Sequence, residues 1–248
     1  MLAGIREILI ITTPNDKEIF QKILGDGANF GITLKFAVQE KPNGLAEAFI
    51  IGQNFVGNDP VSLILGDNIF HGAGLGAQLS FLTQPNGAQI FAYKVKDPER
   101  YGVIEFDSSG AVKSIEEKPD KPKSNFVVPG MYFYDNDVIA IANEIKPSAR
   151  GEIEITSINQ EYLRQGRLQT NILPRGTTWL DTGTFETLNA ASNYVKIIEE
   201  RQGSKIACLE EIAWSNGWIN TDQLLKLAAG FNGNDYGNYL TNLALADK

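Results

Sequence analysis

Hydrophobic runs of strand length alternate with segments of helical periodicity from the start of the chain to about residue 184. Glu7–Thr12, Thr33–Gln39 and Val61–Leu65 are apolar enough to form strands, and the unbroken run Val61–Leu65 is typical of a strand covered on both faces. Small and apolar residues recur on one face of a predicted helix before that run: Leu45, Ala48, Phe49 and Gly52. This alternation predicts an α/β fold with a largely parallel sheet.

The pattern changes beyond residue 100. Tyr101–Phe106 and Ala111–Glu117 alternate like an antiparallel pair joined by a tight turn, and Phe126–Tyr134 follows as one further strand. After residue 184 the apolar residues fall mainly at helical spacing. We therefore predict one α/β domain at residues 1–184 and a helical C-terminal extension at residues 185–248, where subunits of an oligomer would meet.

Composition and charge narrow the classes of function. The chain has 248 residues, is 43% hydrophobic and carries a net charge of -8, and no run of Lys and Arg suggests a groove for nucleic acid. Arg6 and Glu7 interrupt the apolar start, which is too short and too charged for a signal segment or a membrane span. Cys208 is the only cysteine, so no intramolecular disulfide can form. These features predict a soluble, cytoplasmic protein that binds neither nucleic acid nor a membrane.

Two aspartates follow apolar strands closely. Asp67 comes two residues after Val61–Leu65, and Asp181 comes directly after Trp179 and Leu180. Open α/β sheets bind ligands beyond the carboxyl ends of their strands, and two carboxylates meeting there would suit Mg²⁺. The alternative is that each aspartate caps a helix that follows it, since Asp is a favoured N-cap residue.

Two basic residues lie among acidic neighbours. Lys118 ends the sequence Ile-Glu-Glu-Lys, and Arg150 lies just before a helix predicted at Glu152–Gln165. A cation beside a helix N-terminus is suited to binding a phosphate, because the free backbone amides there also favour an anion. The alternative is that both residues form ordinary solvated ion pairs at the surface.

A glycine-rich segment suggests a different function. Gly72–Ala77 fits the pattern G-x-G-x-x-A, and Asp97 lies near the end of the next predicted strand, which would indicate an NAD-dependent oxidoreductase. Residues 66–71, however, separate the apolar run from the first glycine, whereas a dinucleotide-binding turn follows its strand directly. Small residues opening a helix explain the segment equally well.

Histidine, cysteine and aromatic residues carry weaker signals. His71 is the only histidine, and no nucleophilic Ser or Cys motif accompanies it. Cys208 has no thiol or imidazole partner in the sequence and is interpreted as a small buried hydrophobic residue. Tyr101, Tyr132 and Trp179 are candidates for stacking on a sugar ring or a base, although aromatic residues in apolar strands more often belong to the core.

Several blocks of sequence occur in a characteristic order: Gln39–Ala48, Leu65–Asn68, Asp97–Val103, Glu116–Pro119, Pro147–Thr156 and Trp179–Thr184. In this order they resemble the bacterial glucose-1-phosphate thymidylyltransferases, which are sugar-1-phosphate nucleotidyltransferases, and the likeness covers essentially the whole chain. The resemblance implies a Rossmann-like, three-layer fold with a mixed, mostly parallel sheet. It also implies a homotetramer.

The implied reaction is the Mg²⁺-dependent conversion of dTTP and glucose 1-phosphate to dTDP-glucose and pyrophosphate, in nucleotide-sugar biosynthesis of the dTDP-rhamnose type. The resemblance implies that Gln39 and Gly44 contact the thymine and that Asp67 and Asp181 hold Mg²⁺ at the reacting phosphate, where Asp67 also takes part in nucleotide binding. It implies that Lys118 and Arg150 bind the sugar phosphate, which makes Asp67, Asp181, Lys118 and Arg150 the catalytic set. The implied sugar pocket consists of Gly102, Glu117, Lys118, Tyr132 and Trp179.

One departure from the family pattern concerns phosphate binding. Family members begin with a strand that runs into a glycine-rich loop, G-G-x-G-T-R-L, whereas Met1–Ile5 matches a point beyond those elements. The resemblance therefore implies that the first strand and the phosphate loop are absent and that the chain alone catalyses weakly or not at all. This leaves open a non-catalytic module that binds a sugar nucleotide or assembles with intact subunits.

Overall fold

The computed structural model describes residues 1–231 and 233–246. In chain order the strands are β1 (Glu7–Thr12), β2 (Thr33–Val38), β3 (Val61–Ile64), β4 (Asn68–His71), β5 (Ala88–Lys94), β6 (Gly102–Phe106), β7 (Val112–Glu117), β8 (Phe126–Val127), β9 (Met131–Tyr134), β10 (Leu168–Ile172) and β11 (Thr178–Asp181). The helices are α1 (Lys17–Leu24), α2 (Glu47–Val56), α3 (Leu75–Ser80), α4 (Val138–Glu144), α5 (Ile155–Arg164), α6 (Phe185–Gln202), α7 (Leu209–Ser215), α8 (Thr221–Ala229) and α9 (Asp235–Ala246). The predicted α/β class is confirmed.

The chain divides into two compact units. One comprises Val38–Gly183, and the other comprises Met1–Ala37 together with the chain from Thr184 onward. The junction at Gly183 and Thr184 lies beside the domain boundary expected from the sequence, but the first 37 residues group with the C-terminal helices rather than with the sheet. The assignment of a domain at 1–184 and an extension at 185–248 stays a prediction.

A seven-stranded mixed sheet forms the centre of the unit Val38–Gly183. Its order is β3-β9-β5-β8-β6-β7, with β10 paired to β5. The pairing of β5 with β10 is parallel, and the other pairings within this sheet are antiparallel. The parallel share is therefore smaller than the sequence suggested, because neighbours such as β6 and β7 are joined by a tight turn that reverses the chain.

The apolar run Phe126–Tyr134 forms two strands rather than one. Pro129 and Gly130 interrupt it, so that β8 pairs with β6 and with the end of β5, whereas β9 pairs with β3 and with the start of β5. Proline lacks the N–H that a ladder requires, which explains the break. The segment Phe126–Tyr134 therefore pairs with β6 at its start and with β3 at its end, on either side of β5.

Strand β3 lies at one end of the sheet order and none of its side chains is fully buried, so the expectation that Val61–Leu65 is covered on both faces is wrong. Ile64 is 57% exposed, although Val61 and Leu63 pack against the main core. Continuous apolar sequence indicates burial only where a neighbouring element covers the strand.

Helices cover the sheet and complete the core of this unit. Helices α2 and α4 pack against each other, and α5 packs against β7 and β10. Tyr134 and Tyr162 are fully buried and stack with ring centroids 5.6 Å apart. The buried side chains of β5, β9, α4 and α5 thus form one continuous core.

The second unit contains β1, β2, α1 and the C-terminal helices. Its core includes buried side chains on α8 and α9, such as Leu224 and Leu240. The hydroxyl of Thr184 accepts a hydrogen bond from the Thr187 N–H and so caps α6, while Asn220 caps α8 in the same way. Within the described residues, no helix has both the length and the apolar content that crossing a membrane requires. The predicted helical C-terminal segment is confirmed.

Candidate active site

The two predicted aspartates lie at one end of a two-stranded antiparallel ribbon. Strands β4 and β11 pair with Asp181 opposite Asn68, which places Asp67 beside the end of β11. A Cβ atom built on Gly183 would lie 3.0 Å from Asp181 Oδ1 and 3.8 Å from Asp67 Oδ2. Thr182 donates from its backbone N–H and its hydroxyl to the Asp67 carbonyl oxygen, at 2.9 and 2.8 Å. Both carboxylates therefore face the space beside Gly183.

The alternative that these aspartates cap helices is wrong. Asp67 is followed by strand β4, and the residue that caps α6 is Thr184 rather than Asp181. Asp181 instead accepts the backbone N–H of Gly183 at 2.9 Å. Neither carboxylate is needed to begin a helix.

Tyr101 and Arg100 approach Asp181 from the other side. The Tyr101 hydroxyl donates to Asp181 Oδ2 at 3.3 Å, and Arg100 Nη2 lies 4.0 Å from the same oxygen. Burial, together with the negative charges of Asp181 and Asp97, outweighs the nearby Arg100 and raises the pKa of Tyr101 to about 12. Tyr101 therefore stays protonated at neutral pH, and its hydroxyl donates a hydrogen bond to the Asp181 carboxylate.

Trp179 joins this group through its ring and its indole nitrogen. It is 8% exposed and packs edge-on against Tyr101 and Tyr93, with ring centroids 5.1 and 5.6 Å away. Its Nε1–H donates to Asn68 Oδ1 at 2.6 Å. Sequence reasoning assigned Trp179 to a sugar pocket but gave no role to Asn68, because an amide beside an aspartate carries no motif of its own.

A second group centres on Glu117, at the end of β7. Thr156 donates from its hydroxyl to Glu117 Oε2 at 2.5 Å. A Cβ atom on Gly102 would lie 3.0 Å from that hydroxyl and 3.3 Å from Glu117 Oε2, so a side chain there would crowd both. Gly102 and Glu117 are also paired residues in β6 and β7. Thr156 is a further polar residue of the site that the sequence analysis missed.

The two predicted cations differ in their surroundings. Lys118 has a left-handed backbone with φ 42°, and its N–H donates to the Tyr101 carbonyl at 3.0 Å. Such a conformation is rare for a residue with a side chain and costs on the order of 1 kcal/mol. Arg150 forms ion pairs with three carboxylates at 3.0–3.8 Å, those of Glu117, Glu152 and Glu154. Arg150 thus adjoins the Glu117 group, and its interpretation as a surface ion pair describes these contacts correctly.

Gln39 and Gly44, which were predicted to bind the base, lie together. Gln39 Nε2 donates to the Gly44 carbonyl at 3.1 Å and to Glu47 Oε2 at 2.7 Å. Gly44 has φ 110° and approaches Ile153 so closely that a Cβ atom would lie 2.4 Å from the Ile153 carbonyl oxygen. Ile153 precedes Glu154, so this group adjoins the segment that carries Arg150. Only glycine fits at position 44.

Tyr132 lies deeper than the other predicted sugar-binding residues. It is 3% exposed, pairs in register with Leu63 and Ile90, and belongs to the main core. Burial, and then the nearby charge of Glu117, raise its pKa above the ordinary value for tyrosine. Tyr132 therefore lies in the core, close enough to Glu117 for that charge to affect its pKa.

The predicted residues all lie within the compact unit Val38–Gly183, where the contacts described above link them to one another. A family model for nucleotidyl transferases matches residues 1–197. The chain belongs to the nucleotidyl transferase family.

Relatives of this nucleotidyl transferase include the glucose-1-phosphate thymidylyltransferase of Mycobacterium tuberculosis, which is 54% identical over 243 residues, covering 98% of this chain and 84% of the relative. The enzyme of the same name from Neisseria meningitidis is 52% identical over 244 residues, covering 98% and 85%. A Bacillus anthracis structure of a glucose-1-phosphate thymidylyltransferase in complex with sucrose has 40% identity and a TM-score of 0.69, over 76% of each chain. A UDP-glucose pyrophosphorylase shares the fold at 24% identity and a TM-score of 0.66, over 79% of this chain and 83% of that one.

The oxidoreductase alternative does not fit this nucleotidyl transferase. A strand does end directly before Gly72, contrary to the reasoning from sequence, because β4 spans Asn68–His71. That strand pairs antiparallel with β11, however, whereas a dinucleotide-binding turn connects a parallel strand to its crossover helix. His71 lies within the same ribbon, and Cys208 is 3% exposed with its Sγ 3.1 Å from the Tyr236 hydroxyl in the other unit. The interpretation of Cys208 as a small buried residue is confirmed.

The acidic pair of this nucleotidyl transferase fits a hard divalent cation. Asp67 and Asp181 offer oxygen atoms, the ligands that Mg²⁺ prefers, and Mg²⁺ commonly takes one or two carboxylates and completes its shell with water and substrate phosphates. Across residues 1–231 and 233–246, no group of three His, Cys, Asp or Glu side chains is arranged to hold a metal. A cation at this pair would therefore complete its shell with water molecules or with substrate phosphates.

Proposed function

We propose that this chain transfers the thymidylyl group of dTTP to glucose 1-phosphate, forming dTDP-glucose and pyrophosphate. The observation that carries the proposal is the meeting of Asp67 and Asp181 beside Gly183, in a chain of the nucleotidyl transferase family. Relatives more than 50% identical over 98% of the chain are glucose-1-phosphate thymidylyltransferases, which supports this choice of substrates.

The chemistry needs charge neutralisation and alignment more than it needs a base. An oxygen of glucose 1-phosphate attacks the α-phosphorus of dTTP, a new P–O bond forms, and the bond to the departing pyrophosphate breaks. The attacking oxygen is already ionised at neutral pH, so no side chain has to remove a proton. Bound Mg²⁺ would offset negative charge on the phosphates, and Asp67 and Asp181 would hold it.

The cationic residues would hold the sugar phosphate in line for this attack. Lys118 supplies a compact charge on a backbone that is already fixed in a rare conformation. Arg150 lies 3.8 Å from Glu117, so a phosphate bound there would exchange one anionic partner of Arg150 for another. Binding both reactants in this way makes the reaction between two anions effectively unimolecular, which lowers the entropic part of its barrier.

The remaining roles concern recognition. We infer that Glu117 accepts hydrogen bonds from sugar hydroxyls in the space left by the missing side chain of Gly102. Trp179 would form an apolar wall of the sugar pocket, and the buried Tyr132 would support both residues. Gln39 and Gly44 would contact the edge of a thymine, and the Gln39 amide, which donates to the Gly44 carbonyl, would exchange that partner for the base. The family further suggests a homo-oligomer, a tetramer assembled through the C-terminal helices, in the cytoplasm.

Pyrophosphate release from dTTP and glucose 1-phosphate with Mg²⁺ tests this function. Asp67→Asn should lower kcat by about 10²–10³, because the cation that offsets negative charge at the reacting phosphate is then held less well. Asp120→Asn, an exposed acid after β7, serves as the matched control and should leave the rate unchanged. Binding of dTDP-glucose without turnover would instead favour a non-catalytic binding module. A rate unaffected by Asp67→Asn would refute the role given to the acidic pair.

A further inference from the structure

Asn68 occupies the junction between the acidic pair and the aromatic wall. Its Nδ2 donates to Asp67 Oδ1 at 2.7 Å, while its Oδ1 accepts from Trp179 Nε1 at 2.6 Å and from the Gly130 backbone N–H at 3.2 Å. One amide side chain thus connects β4 to β11 and to the segment before β9.

Hydrogen-bond chemistry determines the orientation of this amide. An indole N–H and a backbone N–H can only donate, so the Asn68 oxygen must face Trp179 and Gly130. An ionised carboxylate can only accept, so the Asn68 NH₂ must face Asp67. Rotating the amide by half a turn would set donor against donor on one side and acceptor against acceptor on the other.

The consequence for Asp67 is a fixed carboxylate. Asp67 is exposed, and an exposed aspartate is ordinarily free to rotate about its side-chain bonds. Thr182 anchors its backbone carbonyl, and Asn68 engages Oδ1, which leaves Oδ2 directed towards Gly183 and Asp181.

We propose that Asn68 is a positioning residue that holds the Asp67 carboxylate ready for a divalent cation and couples it to the placement of Trp179. This inference rests on the proposed function, because it concerns the cation that the acidic pair would hold. Partners that orient a metal-binding side chain in this way commonly change metal affinity 10- to 100-fold when they are removed.

A double-mutant cycle on the full chain tests the proposal, with the Mn²⁺ ion as the probe and electron paramagnetic resonance as the readout. Asn68→Ala should weaken Mn²⁺ binding about 10-fold or more, yet have no further effect once Asp67→Ala is present. Asn136→Ala is the matched control, because that amide is also held by hydrogen bonds, but it donates them to the carbonyls of Gly57 and Asp59 rather than to either carboxylate. Thermal unfolding of each variant checks that it folds.

The outcomes separate the two proposals. If the parent chain and Asp67→Ala bind Mn²⁺ equally, the acidic pair does not bind the metal. That result would overturn both the metal-binding role in the proposed function and the positioning role of Asn68. If Asp67→Ala abolishes binding but Asn68→Ala does not weaken it, only the positioning role is overturned. Should Asn68→Ala fail to fold, Trp179→Phe removes one donor to the amide. A several-fold loss of Mn²⁺ affinity there supports the coupling, and an unchanged affinity overturns it.

Discussion

Gly130 is the most sharply constrained glycine near the acidic pair. A Cβ atom there would lie 2.6 Å from both Cγ and Cδ1 of Leu65 and 2.7 Å from Asn68 Oδ1. The Gly130 N–H also donates to the Asn68 side-chain oxygen at 3.2 Å, and its carbonyl accepts from the Leu65 N–H at 3.0 Å. Gly130→Ala therefore forces a methyl group into space that is already filled by the partly buried Leu65 side chain and by Asn68.

The cost follows from these contacts. Overpacking of a filled interior costs about 1–3 kcal/mol, and the lower entropy of the unfolded alanine variant offsets up to about 1 kcal/mol of it. Because Leu65 and Asn68 must both shift, we expect the upper part of this range, about 2–3 kcal/mol, so that the net loss is about 1–3 kcal/mol and Tm falls by roughly 2–12 °C for a chain of this size. Because Asn68 must move, we also expect weaker Mn²⁺ binding than in the parent chain.

Thermal unfolding of Gly130→Ala, with Gly66→Ala as the control, tests this expected loss of stability. Gly66 has no heavy atom within 4 Å of the position that an alanine methyl group would take and no left-handed φ, so that substitution should be neutral or slightly stabilising. A Tm for Gly130→Ala within about 1 °C of the parent chain would show that Leu65 and Asn68 give way without cost, and the reasoning would be wrong.

Three further changes have expected outcomes. Lys118→Gly relieves the left-handed backbone, so stability should hold or rise by about 1 kcal/mol while kcat falls; a fall in stability, measured in urea, would contradict the strain. Tyr236→Phe removes the 2.6 Å hydrogen bond to the buried Glu210 and should cost about 1–3 kcal/mol, whereas an unchanged urea midpoint would show that water replaces it. Burial raises the pKa of Tyr101 from 10 to about 12, so its stabilising contribution is complete below pH 10 and is lost as the pH rises towards 12. Tyrosinate absorbance should then rise together with unfolding, and full ionisation near pH 10 without unfolding would refute this.

Local sequence signals predicted most elements because those elements depend on nearby residues. The strand at Glu7–Thr12, the helix before Gly25 and the β6–β7 pair all follow from short patterns of apolar, turn and glycine residues. The pairing of strands depends instead on contacts far apart in the chain. No local pattern could show that β5 and β10 would be the parallel pair, or that β11 would leave the main sheet to pair with β4.

The site shows the same division. Asp67 and Asp181 could be selected from their positions after apolar runs, and their convergence is what the structure adds. Asn68 could not be selected, because its importance lies in partners at positions 130 and 179 rather than in its neighbours. The capping alternative for the aspartates failed for a related reason, since the element after Asp67 is a strand whose partner lies far along the sequence.

The ribbon of β4 and β11 links the order of folding to the binding of ligands. Asn68 and Trp179 are 111 positions apart, so the loop between them must be closed before the acidic pair exists. Contacts of such long range form slowly and are absent from unfolded chains. A ligand that bridges Asp67 and Asp181 therefore binds the native chain alone and stabilises it by about 2.7 kcal/mol at a hundredfold excess over its Kd. In this protein, a ligand bound at the site therefore stabilises the whole unit Val38–Gly183 against unfolding.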